Sequence, residues 1–186
     1  MTNQESVYNN LKLLYRTNQV SQDLIKQPYK RVLFKNILSL IKHVPHNSIL
    51  EVGCSEGQLT KELTTIAKNI TAIDVVPMAV DIAKKNVSGV NFKVAALEEF
   101  KVQKKYDVIV ASEVLCYVKA RRKMVRKLPE VGNYLVTNQY IFDKTNIGFG
   151  SIIYELLLLR YKTLKVIWYF NLKEWRLNLC ILRDLQ

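Results

Sequence analysis

Residues able to do chemistry gather in a few short stretches. In ILEVGCSEGQL, residues 49–59, an apolar run reaches Glu51 and then passes through Gly53, Cys54, Ser55 and Gly57. Glycine serves turn dihedrals that a side chain forbids, and it lets backbone come close to a ligand. Asp74 lies downstream at about the distance where nucleoside-binding folds place the acid that takes a ribose. A carboxylate suits a diol because it accepts both hydrogens at once. A tight turn with no ligand also explains two glycines, but not the acid in register beyond them. Gly53, Gly57 and Asp74 therefore predict a backbone turn that approaches a nucleoside cofactor. A third stretch, YDVIVASEVLCYV, carries Glu113, a carboxylate able to accept a proton or orient a lone pair. Its competing role is to cap or orient its own loop.

These residues need elements to hold them on one edge. Apolar spacing predicts helices over SVYNNLKLLYRT and KRVLFKNILSLIKHV, the second stopped by Pro45, and then a strand in SILEVG. QLTKELTTIAKN reads as helix, ITAIDVV as strand, and MAVDIAKKN as helix behind Pro77, which suits a first helical turn. VNFKVAA and YDVIVAS follow as strands, KARRKMVRKL as helix and NYLVTNQYI as strand. Strands alternating with helices require crossover connections and a parallel sheet, hence an α/β fold. After a helix around GSIIYELLLL, the runs LKVIWYFN and EWRLNLCILRD sit close enough to pair antiparallel. Open parallel sheets bind ligands beyond the carboxyl ends of their strands, where strand order reverses. The glycine turn, Asp74 and Glu113 all arrive there. Asn138, Gln139 and Tyr140 are expected to leave the fifth strand at that edge and to hydrogen-bond an acceptor, with plain loop residues as the alternative.

The whole chain sets further bounds. Its 186 residues suit one domain with a sizeable core and no need of a metal or disulfide to fold. The start shows no cationic, apolar and small-residue sequence of a secretory signal. Three cysteines, Cys54, Cys116 and Cys180, lack CxxC spacing, so free thiols in the cytoplasm are expected. The greasy region 147–170 is broken by Glu155, Arg160, Lys162 and Lys165, so it reads as core, the Leu156 to Leu159 run included, and no membrane span is expected. The net charge of +12 suits a phosphate-rich partner or solvated lysine faces equally in kind. The cations are spread along the chain, and the solvated reading is favoured over nucleic acid. His43 and His46 precede the first strand and so fall at its amino end, opposite the crevice. No His, Cys and carboxylate spacing suggests a metal site.

The pattern Glu51-x-Gly53-x-Ser55-x-Gly57 resembles the first motif of class I S-adenosylmethionine-dependent methyltransferases. The resemblance continues through Asp74, NFKVAALEEF, YDVIVASEVLCYV and LPEVGNYLVT, about residues 47 to 141, and the closing strand pair matches the family's last two strands. It implies a Rossmann-like, mostly parallel seven-stranded sheet flanked by helices, with an antiparallel C-terminal strand pair and two N-terminal helices. Residues 1–44 would form a helical cap, 47–141 the cofactor core, and 142–186 the C-terminal helix and strands. It implies a cofactor, S-adenosylmethionine, held by Glu51, the 53–57 backbone with Cys54 and Ser55, Asp74 and Val75 at the ribose, Ala96 and Leu97 at the adenine, and Ser112 at the reactive end. Ser55 stands at the middle glycine, so the turn must carry a Cβ there. Ala96 stands where many members have Asp. LEVGCSEGQLTKEL, ASEVLCYV, QPYKRVL and EWRLNLCILRD are similar, more narrowly, to nodulation protein S-like methyltransferases, a group that includes enzymes methylating the amino nitrogen of a deacetylated chitin oligosaccharide. The Asp-Pro-Trp expected ahead of Tyr29 is missing, and TNQY replaces a histidine after the fifth strand.

The implied activity is methyl transfer to a nitrogen or oxygen of a small molecule, such as an amino sugar or oligosaccharide. Glu113 would be the base, with Tyr29, Asn138, Gln139 and Tyr140 at the acceptor. Tyr29 and Arg16 would close over it from the N-terminal helices, packing being the alternative for Tyr29. An RNA or DNA methyltransferase is the rival, although SEVL lacks the Asn/Asp-Pro-Pro-Tyr element of base-amine enzymes. A non-catalytic subunit would be signalled by loss of Gly53, Gly57 or Asp74, and all three are present.

Overall fold

The structure, a computed structural model, describes residues 28–115, 118, 120–142, 156–171 and 176–186. Its strands are β1 (Ser48–Val52), β2 (Asn69–Asp74), β3 (Asn91–Val94), β4 (Tyr106–Ser112), β5 (Gly132–Phe142), β6 (Lys162–Asn171) and β7 (Arg176–Asp184). The helices are α1 (Pro28–Ile41), α2 (Gln58–Leu63), α3 (Pro77–Asn86) and α4 (Arg121–Val131). The strands form one sheet in the order β3-β2-β1-β4-β5-β7-β6. The first five are parallel, and β7 runs antiparallel between β5 and β6. This is the mostly parallel sheet with an antiparallel C-terminal pair that the helix–strand rhythm predicts. The expected helix over residues 6–17, Arg16, Cys116 and most of the expected helix near 150–159 lie outside the described residues.

Side chains alternate across each strand, so each apolar strand feeds two cores. On one face Leu33, Ile37, Leu40 and Ile41 of α1, at helical spacing, pack on Ile49, Val108, Val110, Val136, Cys180 and Leu182. Val80 and Ala83 of α3 pack on Ala72 and Phe92 of that same face. On the other, Met124, Val125 and Leu128 of α4 meet Leu50, Ile109 and Leu135.

Three expectations need correction. Helix α2 stops at Leu63 rather than reaching residue 69, because the Thr64 and Thr65 hydroxyls donate to the Lys61 and Glu62 carbonyls and close the end in turns. Helix α4 runs past residue 128 to Val131 and contains Pro129. Proline has no N–H for the carbonyl four residues back; the Tyr161 hydroxyl donates to that oxygen, on Val125, at 2.6 Å. The Leu156 to Leu159 run is only partly core: Leu158 is fully buried, but Leu156 is 62% and Leu159 67% exposed, since one helical turn buries one side. Among the described residues no helix is long and apolar enough to cross a membrane, and no cluster of His, Cys, Asp and Glu is placed to hold a metal ion.

Candidate active site

Strand order reverses between β1 and β4, and the chain leaves β1 there through three left-handed residues, Gly53 (φ 77°), Ser55 (φ 49°) and Gly57 (φ 84°). A Cβ on Gly53 would sit 2.6 Å from Val114 Cγ2, so the turn after β1 and the loop after β4 touch across a gap only glycine leaves open. The Gly53 and Cys54 amides donate to the Ile73 carbonyl of β2, and Gly57 N–H donates to Cys54 before opening α2. Ser55 carries its Cβ in the left-handed region, which costs about 1–2 kcal/mol. Its amide donates to Asp74 Oδ2 at 2.9 Å, while the Val76 amide donates to Oδ1 at 2.9 Å. Burial raises the Asp74 carboxyl above its usual range, and these amides oppose the rise.

Glu51 lies beneath the turn, buried, and accepts the Thr60 hydroxyl of α2 at 2.5 Å. Burial pushes it up to about 8, with the Thr60 bond opposing and the Asp74 charge adding. Cys54 is buried too, and burial together with the Glu51 and Asp74 charges holds its thiol well above the ordinary range. An unionised buried thiol is a poor nucleophile. Val75 is exposed at the rim after β2. The Ala95 amide bonds to the Asp74 carbonyl, bringing half-buried Ala96 to the same rim; the Leu97 side chain is core.

Ser112 ends β4 opposite Asn138 of β5. Glu113 follows with φ 55°, its amide donating to the Asn138 carbonyl at 2.6 Å. This turns its carboxylate to the α1 face, where Lys30 Nζ donates to Oε2 at 2.6 Å, the two side chains being 15% and 20% exposed. Burial acts to lower the Lys30 pKa, but Glu113 and Tyr29 outweigh it and raise it above an ordinary lysine's. The Lys30 ammonium also lies 5.3 Å from the Tyr29 ring centroid. Thus Tyr29, Glu113 and Asn138 come together.

The expectation that residues 138–140 leave the strand is corrected: β5 continues to Phe142 because β7 pairs with it that far. Asn138 and Gln139 are buried, and Tyr140 pairs with Asn178. Asn138 Oδ1 accepts the Cys180 thiol at 3.1 Å, while Nδ2 has no acceptor among the described residues. Gln139, one residue on, takes the opposite face. Lys30, Thr60 and Cys180 were not anticipated in these roles. Lys30 does adjoin Tyr29, but its partner lies 83 residues away. His43 and His46 precede β1; His43 Nε2 is 2.6 Å from Lys165 Nζ and His46 Nδ1 2.7 Å from the Val44 carbonyl.

Comparison with known proteins adds the family. The family model described as Nodulation protein S (NodS) matches residues 11–149. Nodulation protein S of Sinorhizobium fredii is 40% identical over 77 residues, 40% of this chain and 36% of that protein. The Rhizobium tropici protein of the same name is 32% identical over 95 residues, 49% of this chain and 40% of that one. The matched region thus spans about two fifths of the length of these curated relatives. The crystal structure of the N-methyltransferase NodS from Bradyrhizobium japonicum with S-adenosyl-L-homocysteine superposes with a TM-score of 0.75 at 21% identity, covering 88% of this chain and 91% of that one. At that identity the likeness is one of fold.

Proposed function

Because the chain belongs to the Nodulation protein S family, we propose that it is an S-adenosylmethionine-dependent methyltransferase acting on a nitrogen or oxygen of a small molecule, with an amino sugar or oligosaccharide as the acceptor class. The observation that carries this reading is the turn at Gly53 to Gly57, joined through the Ser55 amide to Asp74 at the sheet's switch point. The residues fit the cofactor. At Gly53 the turn packs against Val114 with no room for a Cβ, so backbone rather than side chain lines it there, and of the roughly four acceptor positions of the Asp74 carboxylate the amides of Ser55, Val75 and Val76 take three. Exposed Val75 offers an apolar edge.

The glycine turn with Cys54 and Ser55 would hold the methionine portion, Asp74 and Val75 the ribose, Ala96 and Leu97 the adenine side, and Ser112 the reactive end. Glu51 would support the turn from beneath. The bound cofactor supplies an electrophilic sulfonium methyl. Glu113 takes the proton that an acceptor ammonium must lose before its nitrogen can attack. Tyr29, Asn138 and Tyr140 complete the acceptor side, Gln139 on the opposite face of β5 lying away from it, and holding the two reactants in line contributes much of the acceleration. The free thiols of Cys54 and Cys180 support a cytoplasmic setting.

Calorimetric titration with S-adenosylmethionine and S-adenosylhomocysteine, repeated on Asp74→Ala, tests the reading. Micromolar binding that the substitution weakens by about 100-fold, on the order of 3 kcal/mol, is expected. Absence of binding by the intact protein would remove the enzyme and leave the fold.

A further inference from the structure

Resting on that reading, we propose that Lys30 is a built-in counter-ion standing where the acceptor's ammonium binds at Glu113, so that the acceptor enters as a cation and displaces it.

The pair joins the first turn of α1 to the residue after β4, and both side chains are largely withdrawn from water. A carboxylate in such a place is costly to leave unpaired. Glu113 is directed there by backbone: its left-handed φ and its amide bond to the Asn138 carbonyl bring its carboxylate to Lys30 at the first turn of α1. The nearby charge is felt at Cys180, whose thiol burial and Glu113 together raise.

Lys30 suits an exchangeable role. Its ammonium is a point charge with three rotatable donors on a flexible stem, able to swing into water without disturbing the helix. Exchange of one ammonium for another keeps the carboxylate compensated. A neutral acceptor cannot make that exchange; it would have to leave Lys30 in place or strand the charge. The contact therefore favours amines and excludes hydroxyl or acetamide groups, a discrimination built as much on a penalty for the wrong ligand as on contacts to the right one.

The test titrates the protein loaded with S-adenosylhomocysteine with a glucosamine tetramer and with its fully N-acetylated counterpart. Lys30→Met should bind the amine at least about 10-fold more tightly than the intact protein, about 1.4 kcal/mol, with the acetylated tetramer unchanged. Equal amine affinity in both proteins, an equal gain for the acetylated tetramer, or no amine binding by either loaded protein would overturn the proposal. Because Lys30→Met leaves a carboxylate without its cation, the double variant Lys30→Met/Glu113→Gln serves as a neutral second case. It should show no preference between the tetramers, and a retained amine preference would also overturn it. Binding of S-adenosylhomocysteine reports the underlying reading separately. Its failure removes both, whereas its success without a Lys30-dependent gain removes this inference alone.

Discussion

The Ser55 amide donates to Asp74 Oδ2 at 2.9 Å, latching the turn after β1 to the carboxylate that ends β2. Strands β1 and β2 are parallel neighbours, with Val52 opposite Ile73, so their carboxyl ends arrive side by side. The latch shows how a residue with a Cβ occupies the middle of a glycine turn. It also holds the acid ready without using all its lone pairs.

Since the latch is a backbone bond, Ser55→Gly should keep it while removing the left-handed penalty. Denaturant unfolding is expected to show a stability gain of up to about 1 kcal/mol, with S-adenosylhomocysteine affinity within about threefold. Gly53→Ala is the contrasting case, because its Cβ would collide with Val114 at 2.6 Å in a left-handed conformation. It should cost about 2–3 kcal/mol and abolish cofactor binding. Equal behaviour of the two variants would show that the turn is not under this constraint.

Glu51 makes stability depend on pH. Between about 4.5 and 8 the unfolded chain has released this proton while the folded chain retains it. Folding then takes up a proton, and stability falls as pH rises across that window by up to about 1.4 kcal/mol per pH unit. Glu51→Gln keeps an acceptor for the Thr60 hydroxyl and has nothing to titrate. Unfolding midpoints measured across the window should be flatter for the variant, with its largest relative gain near pH 8.

Asn138 is buried with Nδ2 lacking an acceptor among the described residues, a cost on the order of 1–3 kcal/mol. Asn138→Leu should therefore be stabilised by about 1 kcal/mol, while methyl transfer to an amino sugar falls at least about tenfold. A variant that is more stable and equally active would place Asn138 outside the acceptor pocket.

Away from the site, Tyr161→Phe removes the donor that serves the Val125 carbonyl. The loss should be about 1 kcal/mol, with cofactor affinity unchanged. Pro129→Ala, which restores a backbone N–H, should recover part of it in the double variant. Additive losses would mean that the hydroxyl is not replacing the missing helical bond.

The strand YDVIVAS was legible to the residue, because its β-branched and apolar run is buried over residues 108–111 and bounded by polar ends. The glycine turn and Asp74 were equally legible, since their dihedral and hydrogen-bonding needs are local. The end of α2 was not, because side-chain hydroxyls rather than apolar spacing close it. Residues 138–140 fall within the strand run NYLVTNQYI and yet are expected to leave the sheet there; pairing with β7 keeps them in it and carries β5 to Phe142.

By itself the sequence determined the alternation of elements, and with it a parallel sheet whose carboxyl edge carries Gly53, Asp74 and Glu113. Periodicity, turn dihedrals and crossover connections are demands that neighbouring residues state among themselves. The tertiary structure alone decided that β7 enters between β5 and β6 and that Lys30 meets Glu113. Such choices depend on which buried surfaces and charges match across the sheet. Their energy exists only once the faces close, and no short stretch of chain contains both halves of the match.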